Sequence, residues 1–226
     1  LRIFMEKHSE RLNRMRFSQT FVMSNKVREM KASGLDVISL TLGEPDFDVP
    51  KNIKEAAFEA INNNFSHYSP VPGFLDLRQA ICEKLKRDNN LEYLPSQICV
   101  SNGAKQSILN VLASVLNDGD EVILPAPFWV SYDEMVKMMG GKSVFVETSI
   151  ESEFKITAEQ LEKAITPKTK VLLYSSPCNP SGSVYTYDEL ERIANVVAKY
   201  PQITIISDEI YEYINYDGKH TSIAEF

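Results

Sequence analysis

The sequence is poor in the residues that stabilise small secreted or metal-bound domains. It has three cysteines in 226 residues, Cys82, Cys99 and Cys178, too few and too scattered for a disulfide framework or a zinc knuckle. No apolar run approaches the ~20 residues that a membrane-spanning helix needs, and the charged segment 1–16 has no secretory apolar core. We therefore expect a cytoplasmic protein with reduced thiols and no membrane partner.

Positive charge is also scarce. Lys and Arg number 24 against 31 Asp and Glu, which gives a formal net charge of −7. Because contacts with nucleic-acid phosphates need clustered Lys and Arg, this balance argues against a nucleic-acid partner. Hydrophobic residues make up 43% of the chain and charged residues 24%, proportions typical of a packed domain and not of a disordered chain.

Motifs of several common enzyme classes are missing. The sequence has no G-x-G-x-x-G after a strand, no Walker A loop, no H-E-x-x-H and no G-x-S-x-G. The three histidines, His8, His67 and His220, lack the spacing of metal ligands, so we predict no metal site. Dinucleotide, P-loop, zinc-protease and serine-hydrolase chemistry are therefore poor starting hypotheses.

Short β-branched runs alternate with segments of helical period over most of the chain. Strands are predicted at Ile98–Ser101, Glu121–Leu124, Ser143–Glu147, Lys170–Ser175 and Ile203–Ser207. Apolar stripes at helical spacing begin at Ile53, Ile108, Tyr132 and Leu190. Strands that alternate with helices predict an α/β fold with a mostly parallel sheet flanked by helices.

The first 45 residues show no such alternation. We predict that residues 1–45 form an N-terminal arm and part of a smaller domain, and that residues 46–226 form the N-terminal portion of a large domain. The join lies near Pro45 and Pro50, because the two prolines restrict the chain and prevent a helix there.

Ligands of an open α/β sheet collect beyond the carboxyl ends of its strands, so the chemistry is sought at those junctions. Gly103 lies between a predicted strand and a helix, where free N–H groups suit a phosphate. The alternative is an ordinary turn capped by Ser101 or Asn102. Trp129, the only Trp, follows the next strand and either stacks on a flat ring or fills the core.

The two later junctions carry polar groups. Asn179 lies between Pro177 and Pro180 and either faces the sheet edge or occupies a rigid turn. Asp208 follows a run that contains Ile203, Ile205 and Ile206 and should be largely buried, yet the next Lys or Arg is Lys219. A buried carboxylate needs a cation or several donors, so Asp208 either meets a protonated ring nitrogen or caps the following turn.

Six segments occur in an order that resembles a known family. They are Gly43–Phe47, His67–Gly73, Ser101–Gln106, Pro127–Tyr132, Asn179–Gly182 and Ser207–Tyr211. Together they resemble the class I, fold-type I aminotransferases that use pyridoxal phosphate, most closely the aspartate aminotransferase subgroup. The resemblance extends from about Ser18 onward and implies the large domain of that fold, here incomplete.

The resemblance assigns roles to these residues. The N–H groups of Gly103, Ala104 and Lys105 form the phosphate cradle, and Trp129 stacks on the pyridine ring. Asp208 pairs with the protonated ring nitrogen, which keeps the cofactor an electron sink. Asn179 and Tyr211 hydrogen-bond the phenolic oxygen, so the implied catalytic residues in this chain are Asp208 and Tyr211.

The resemblance also implies partners and substrates. Active sites of the family lie at a homodimer interface, where Tyr68 reaches the phosphate of the partner subunit's cofactor. The implied substrate-binding residues are Gly43, Trp129, Asn179 and Lys105. Gly43 lies near the α-carboxylate, and Lys105 biases the pocket toward acidic side chains.

The chain departs from the family pattern in one decisive respect. The family's Schiff-base lysine stands in a Ser/Thr-flanked motif beyond the Asp-Glu-Ile-Tyr strand. Only Lys219 follows Asp208, in a context that does not match that motif. Without the amine there is no covalent cofactor link and no positioned base. We expect these 226 residues to be the N-terminal part of an aminotransferase and to be inactive alone.

The leading hypothesis is therefore transamination between an amino acid, aspartate or a similar one, and a 2-oxo acid in the full-length protein. Two alternatives stay open. One is a non-catalytic cofactor-binding module. The other is a pyridoxal-phosphate enzyme that runs β-elimination or the ring closure of aminocyclopropane-carboxylate synthases.

Overall fold

A computed structural model describes residues 8–16, 19–216 and 218–226. The helices are α1 (Glu10–Asn13), α2 (Gln19–Ala32), α3 (Lys51–Asn62), α4 (Leu75–Asn89), α5 (Ala104–Val115), α6 (Ser131–Met138), α7 (Ala158–Ala164) and α8 (Tyr187–Val197). The strands are β1 (Glu121–Ala126), β2 (Lys142–Glu147), β3 (Thr169–Ser175) and β4 (Thr204–Asp208). Short 3-10 turns lie at Pro95–Gln97, Ile150–Ser152 and Ile223–Glu225. None of these helices is long and apolar enough to cross a membrane.

The four strands form one parallel sheet in the order β2-β1-β3-β4. The register pairs Ile123 with both Val144 and Leu172, and Leu172 with Ile205. Strand β1 is buried from Glu121 to Pro125, as expected of a central strand covered on both faces. The predicted α/β class and the parallel sheet are confirmed.

Side chains alternate between two hydrophobic layers, one on each face of the sheet. On one face, Ile123, Leu172 and Tyr174 pack with Leu161 of α7 and Leu190 of α8. On the other face, a second cluster joins the sheet to α5 and α6. Its members are Val122, Leu124, Val171, Leu173, Ile108, Leu112, Tyr132, Met135 and Val136. This three-layer packing brings the carboxyl ends of β3 and β4 close to the starts of α5 and α6.

The predicted strand at Ile98–Ser101 is wrong. Ile98 has extended backbone, with φ −103° and ψ 130°, but residues 98–101 pair with no strand in the described part of the chain. A strand is defined by the ladder of hydrogen bonds to a neighbour, so an apolar extended run without one stays irregular. The chain reaches Gly103 as a segment without regular secondary structure.

Contacts divide the described residues into two compact units. One contains residues 8–16 and 75–226, and the other contains residues 19–74. Helix α3 forms as predicted, but its apolar stripe is open, since Ile53 and Ile61 are 55% and 72% exposed. The units are defined by contacts within this chain alone, so the predicted division between 1–45 and 46–226 stays a prediction.

Candidate active site

A cavity of about 290 Å³ opens beyond the carboxyl ends of β3 and β4. It is lined by Gly103, Ala104, Lys105, Trp129, Tyr132, Ser175, Asn179, Asp208, Ile210 and Tyr211. All of these residues belong to the unit that contains the sheet. A wider cavity of about 480 Å³ lies at α1 and Asp118 and contains none of the predicted site residues. The smaller cavity is therefore the candidate site.

The start of α5 forms an anion-binding corner of this cavity. Gly103 has φ +82°, a conformation that favours glycine, and its carbonyl accepts from the N–H groups of Gln106 and Ser107 at 3.1 and 3.3 Å. The N–H groups of Ala104 and Lys105 have no acceptor among the described residues. No side chain caps this helix, so the alternative of a turn capped by Ser101 or Asn102 is not realised. The free N–H groups and the helix dipole suit a phosphate.

Asp208 ends β4 at the floor of the cavity and is only 9% exposed. Its Oδ2 accepts from the Tyr132 hydroxyl at 2.6 Å, and its Oδ1 accepts from the Ile210 N–H at 3.3 Å. The predicted turn cap is therefore present. No Lys, Arg or His among the described residues forms an ion pair with this carboxylate. Two neutral donors leave a buried negative charge without a counterion, which fits a cationic ligand atom.

The sequence predicts Tyr132 only as a member of an apolar stripe and does not reveal its contact with Asp208. Its side chain is 1% exposed, and its ring packs edge-on to Trp129 with centroids 5.6 Å apart. Burial raises the pKa of the phenol, and the negative charge of Asp208 raises it further. The hydroxyl is therefore a permanent donor. The signal that points to such a residue is that a buried tyrosine needs a partner for its hydroxyl.

Trp129 packs in the core, which is one of its two predicted alternatives, while its stacking on a flat ring stays a prediction. It packs against the hydrophobic cluster under α6, and it also lines the cavity. The ammonium of Lys105 lies 4.8 Å from the centroid of its ring, a cation–π contact. The exposed Lys105 side chain thus stands over the ring at the cavity mouth.

Asn179 and Tyr211 both line the cavity and contact each other. The Asn179 Nδ2 donates to the Tyr211 hydroxyl at 3.4 Å, and the Asn179 N–H donates to Ser175 Oγ at 3.4 Å. A tight turn behind them is closed by the Gly182 N–H, which donates to the Cys178 carbonyl at 2.8 Å. One ligand oxygen can therefore meet both the amide and the phenol.

Two predicted site residues lie in the other compact unit. Gly43 and Tyr68 are both exposed, and their assigned roles stay predictions. Lys219 is exposed and does not line the cavity. No group of three or more His, Cys, Asp or Glu in the described ranges could hold a metal ion.

The chain is similar to a large family of known sequences. A family model for aminotransferases of class I and II matches residues 35–225. An aspartate/prephenate aminotransferase from Nitrosomonas europaea is 48% identical over 94% of this chain and 53% of its own length. An aspartate aminotransferase from Bacillus sp. strain YM-2 is 50% identical over 92% of this chain and 53% of its own length. The chain spans about half the length of the curated relatives it matches.

Solved structures give the same result. Aspartate aminotransferase from Thermus thermophilus with maleate aligns with a TM-score of 0.92 and 42% identity, over 96% of this chain and 56% of that one. An aromatic aminotransferase from Pyrococcus horikoshii aligns with a TM-score of 0.81 and 46% identity, over 88% of this chain and 54% of that one.

Proposed function

The chain belongs to the class I and II aminotransferase family, and from that premise we propose that the whole protein transfers an amino group between an amino acid and a 2-oxo acid. Family membership implies pyridoxal 5′-phosphate as the cofactor. The observation that carries the proposal is the buried carboxylate of Asp208 in the same cavity as the N–H groups at the start of α5. Among the described residues, the carboxylate has no ion-pair partner and the N–H groups of Ala104 and Lys105 have no acceptor.

The cavity residues fit this cofactor. The N–H groups at the start of α5 would hold its phosphate, and Asp208 would hold its ring nitrogen in the protonated form. Asn179 and Tyr211 would bind its phenolic oxygen, and Trp129 would stack on its ring. When bound, the cofactor withdraws electrons from the α-carbon of the amino acid. The residues of this chain bind and orient it, and Asp208 keeps the proton on its ring nitrogen.

Aspartate is the proposed amino donor. Lys105 places a positive charge at the cavity mouth, where it favours a substrate with an acidic side chain. The similar proteins from Nitrosomonas europaea and Bacillus are named for aspartate, and the first is also named for prephenate. We therefore propose a 2-oxo acid acceptor and include prephenate among the candidates. The similarity to an aromatic aminotransferase supports aromatic amino acids as a second class of donor.

The proposal requires protein outside these residues. We propose that a lysine beyond Phe226 holds the cofactor covalently, that the 226 residues alone do not turn over substrate, and that the protein is a cytoplasmic homodimer in which Tyr68 reaches the partner's site. The exposed apolar side chains of residues 19–74 support further protein covering that unit, since large exposed apolar patches mark interfaces.

The test is a transamination assay on the full-length protein loaded with pyridoxal phosphate. Oxaloacetate formed from aspartate is measured with 2-oxoglutarate and with prephenate as acceptors. We expect oxaloacetate and the new amino acid in equal amounts. Two further amino acids test the alternatives. Pyruvate, ammonia and a released thiol formed from cystathionine would indicate β-elimination, and a cyclised amino acid with a released thioether formed from S-adenosylmethionine would indicate ring closure. Cofactor binding without turnover of any amino acid would indicate a non-catalytic module.

A further inference from the structure

The Asp208 carboxylate accepts a hydrogen bond from the phenol of Tyr132, a residue to which the proposed function assigns no role. Tyr132 is fully inside the cluster under α6, and its hydroxyl donates to Oδ2 at 2.6 Å. The edge of Trp129 and the surrounding core leave the ring little freedom to rotate. Since Oδ1 already accepts from the Ile210 N–H, each carboxylate oxygen has one fixed donor and keeps acceptor capacity for a third group.

The donor identity matters for the charge of Asp208. A hydrogen bond from a neutral phenol stabilises the ionised carboxylate more than the protonated acid, and it does so strongly in a buried site. Burial raises the pKa of the Tyr132 phenol itself, so Tyr132 keeps its proton and remains a donor. A proton shared between Asp208 and a pyridine nitrogen is then held on the nitrogen.

We propose that Tyr132 is a positioning residue that holds the Asp208 carboxylate in the orientation and charge that a protonated cofactor ring nitrogen requires. The inference rests on the proposed function, because it acts on bound pyridoxal phosphate. Tyr132 needs no contact with the substrate for this role. It acts through Asp208, and its own proton stays on the phenol throughout.

The test compares Tyr132→Phe with the wild type in the full-length protein, loaded with pyridoxal phosphate that carries ¹⁵N in the ring. The substitution removes one oxygen and keeps the packed ring. We expect the ¹⁵N signal to move toward that of an unprotonated pyridine. We also expect the dissociation constant for the cofactor, measured by equilibrium dialysis of the apoprotein, to rise roughly tenfold, or about 1.4 kcal/mol.

Tyr185→Phe is the matched control. Its ring is also buried, and its hydroxyl accepts from the Ile156 N–H at 2.9 Å on the other face of the sheet. Tyr185→Phe should lower the free energy of unfolding as Tyr132→Phe does, but it should leave the ¹⁵N signal of the cofactor unchanged. If both variants move the signal equally, or neither does, the proposal is wrong. If the wild type binds no pyridoxal phosphate, the proposed function fails first.

Two further measurements keep the outcome decisive. In an Asp208→Asn background, Tyr132→Phe should leave the nitrogen signal unchanged, because the group through which Tyr132 acts is gone. If Tyr132→Phe does not fold, 3-fluorotyrosine at position 132 preserves the packing and offers a stronger donor, so the nitrogen should stay protonated. A shift toward the unprotonated signal in that variant would overturn the proposal.

Discussion

At the scale of the residue, the site depends on one acid that the chain buries without compensating its charge. Burying an ion costs several kcal/mol unless donors or an opposite charge meet it. Asp208 receives two donors and no cation from the described residues, so its position is stabilised fully only when a cationic group enters the cavity. A buried carboxylate without a counterion contributes to the binding of a cationic ligand and not to the stability of the fold.

Asp208→Asn should therefore affect turnover far more than folding. In the full-length protein we expect kcat to fall by about 10²–10³-fold, the equivalent of ~3–4 kcal/mol for the loss of a buried ion pair. Circular dichroism should be unchanged. The control is Glu209→Gln, because that neighbouring carboxylate binds Ser222 and His220 outside the cavity. Undiminished turnover in Asp208→Asn would refute the assigned role.

Lys105 provides a second test at this scale. Lys105→Met should lower kcat/KM for aspartate roughly tenfold relative to kcat/KM for phenylalanine, because only the acidic side chain loses a charge-assisted contact. Lys163→Met, which replaces an exposed lysine of α7, should leave the ratio unchanged. A parallel loss for both amino acids would show that Lys105 serves the cofactor and not the substrate side chain.

The sequence predicts the cavity-lining groups better than their supports. Gly103, Asn179 and Asp208 stand at chain junctions, where residue type and position together point to chemistry. Tyr132 fits the apolar stripe of a helix, and its ring does pack in the core. Its hydroxyl meets Asp208 only because α6 and β4 are brought together by the sheet, 76 residues apart in the chain. No local sequence pattern predicts the contact between Tyr132 and Asp208.

At the scale of the element, the start of α5 combines a backbone requirement with a binding function. A Cβ added at Gly103 would meet no atom within 4 Å, but an alanine at φ +82° is strained. We therefore expect Gly103→Ala to lower the free energy of unfolding by about 1 kcal/mol. Any movement of the free N–H groups should also weaken pyridoxal phosphate binding. Urea unfolding and equilibrium dialysis measure the two effects.

Gly119→Ala is the matched control, because it introduces the same backbone strain at a residue that does not line the cavity. Gly119 has φ +87° and equally open surroundings, but it lies in the turn before β1, away from the cavity. It should lose similar stability and keep its affinity for the cofactor. Equal loss of affinity in both variants would mean that the start of α5 has no special role in binding.

The strands show what an apolar run can and cannot predict. The runs that became β1, β2, β3 and β4 have neighbours in the described chain that complete their hydrogen bonds. Ile98–Ser101 is also mainly apolar and has extended backbone at Ile98, but no described segment pairs with it. Local sequence therefore predicts the conformation of a segment, while pairing depends on which other segments reach it.

Helix α8 is tied to the segment before α7 by a polar contact that predicts a pH effect. Lys155 Nζ donates to Glu189 at 2.9 Å, and the Thr186 N–H donates to the same carboxylate at 2.8 Å. Burial raises the pKa of Glu189, but these hydrogen bonds outweigh it, so the pKa lies below its usual value. The contact therefore stabilises the fold above the unfolded pKa of ~4.3 and is lost as the pH falls through the lower folded pKa.

Glu189→Gln tests this sign. At pH 7 it should lower the free energy of unfolding by about 1–2 kcal/mol, reduced from a fully buried value because the carboxylate is partly exposed. Near pH 3 the difference from the wild type should shrink. Glu191→Gln replaces an exposed acid of the same helix and should have little effect at either pH. If Glu189→Gln and the wild type differ by the same free energy of unfolding at pH 7 and near pH 3, the predicted pH dependence is wrong.

At the scale of the whole molecule, the unit that contains the sheet supplies all the residues of the cavity, and the other unit has mostly exposed side chains. Every residue that lines the cavity belongs to one unit, built around a sheet with two buried layers. Within the other unit, residues 21–74 include no fully buried side chain, and Tyr68, Val71 and Leu40 are each more than 90% exposed. The described chain therefore shapes the cavity, while apolar side chains of residues 21–74 stay exposed.

This division predicts different covalent chemistry in the short and the full-length chains. Borohydride reduces an imine between pyridoxal phosphate and an amine, so it marks the lysine that holds the cofactor. The full-length protein should yield one stoichiometric adduct, on a lysine beyond Phe226, while the 226-residue chain should release the cofactor on dialysis after the same treatment. Mass spectrometry of the peptides locates any adduct.

Lys105 and Lys219 are the two lysines that need a control. The Lys105 ammonium lies at the cavity mouth, so slow nonspecific reaction there is tested with Lys105→Met. Lys219 is the only lysine after Asp208, and it is exposed outside the cavity. A stoichiometric adduct on Lys219 in both chains would place the covalent link within these 226 residues and contradict the requirement for a later lysine. A colourless full-length protein that is never reduced would remove the cofactor from the proposal altogether.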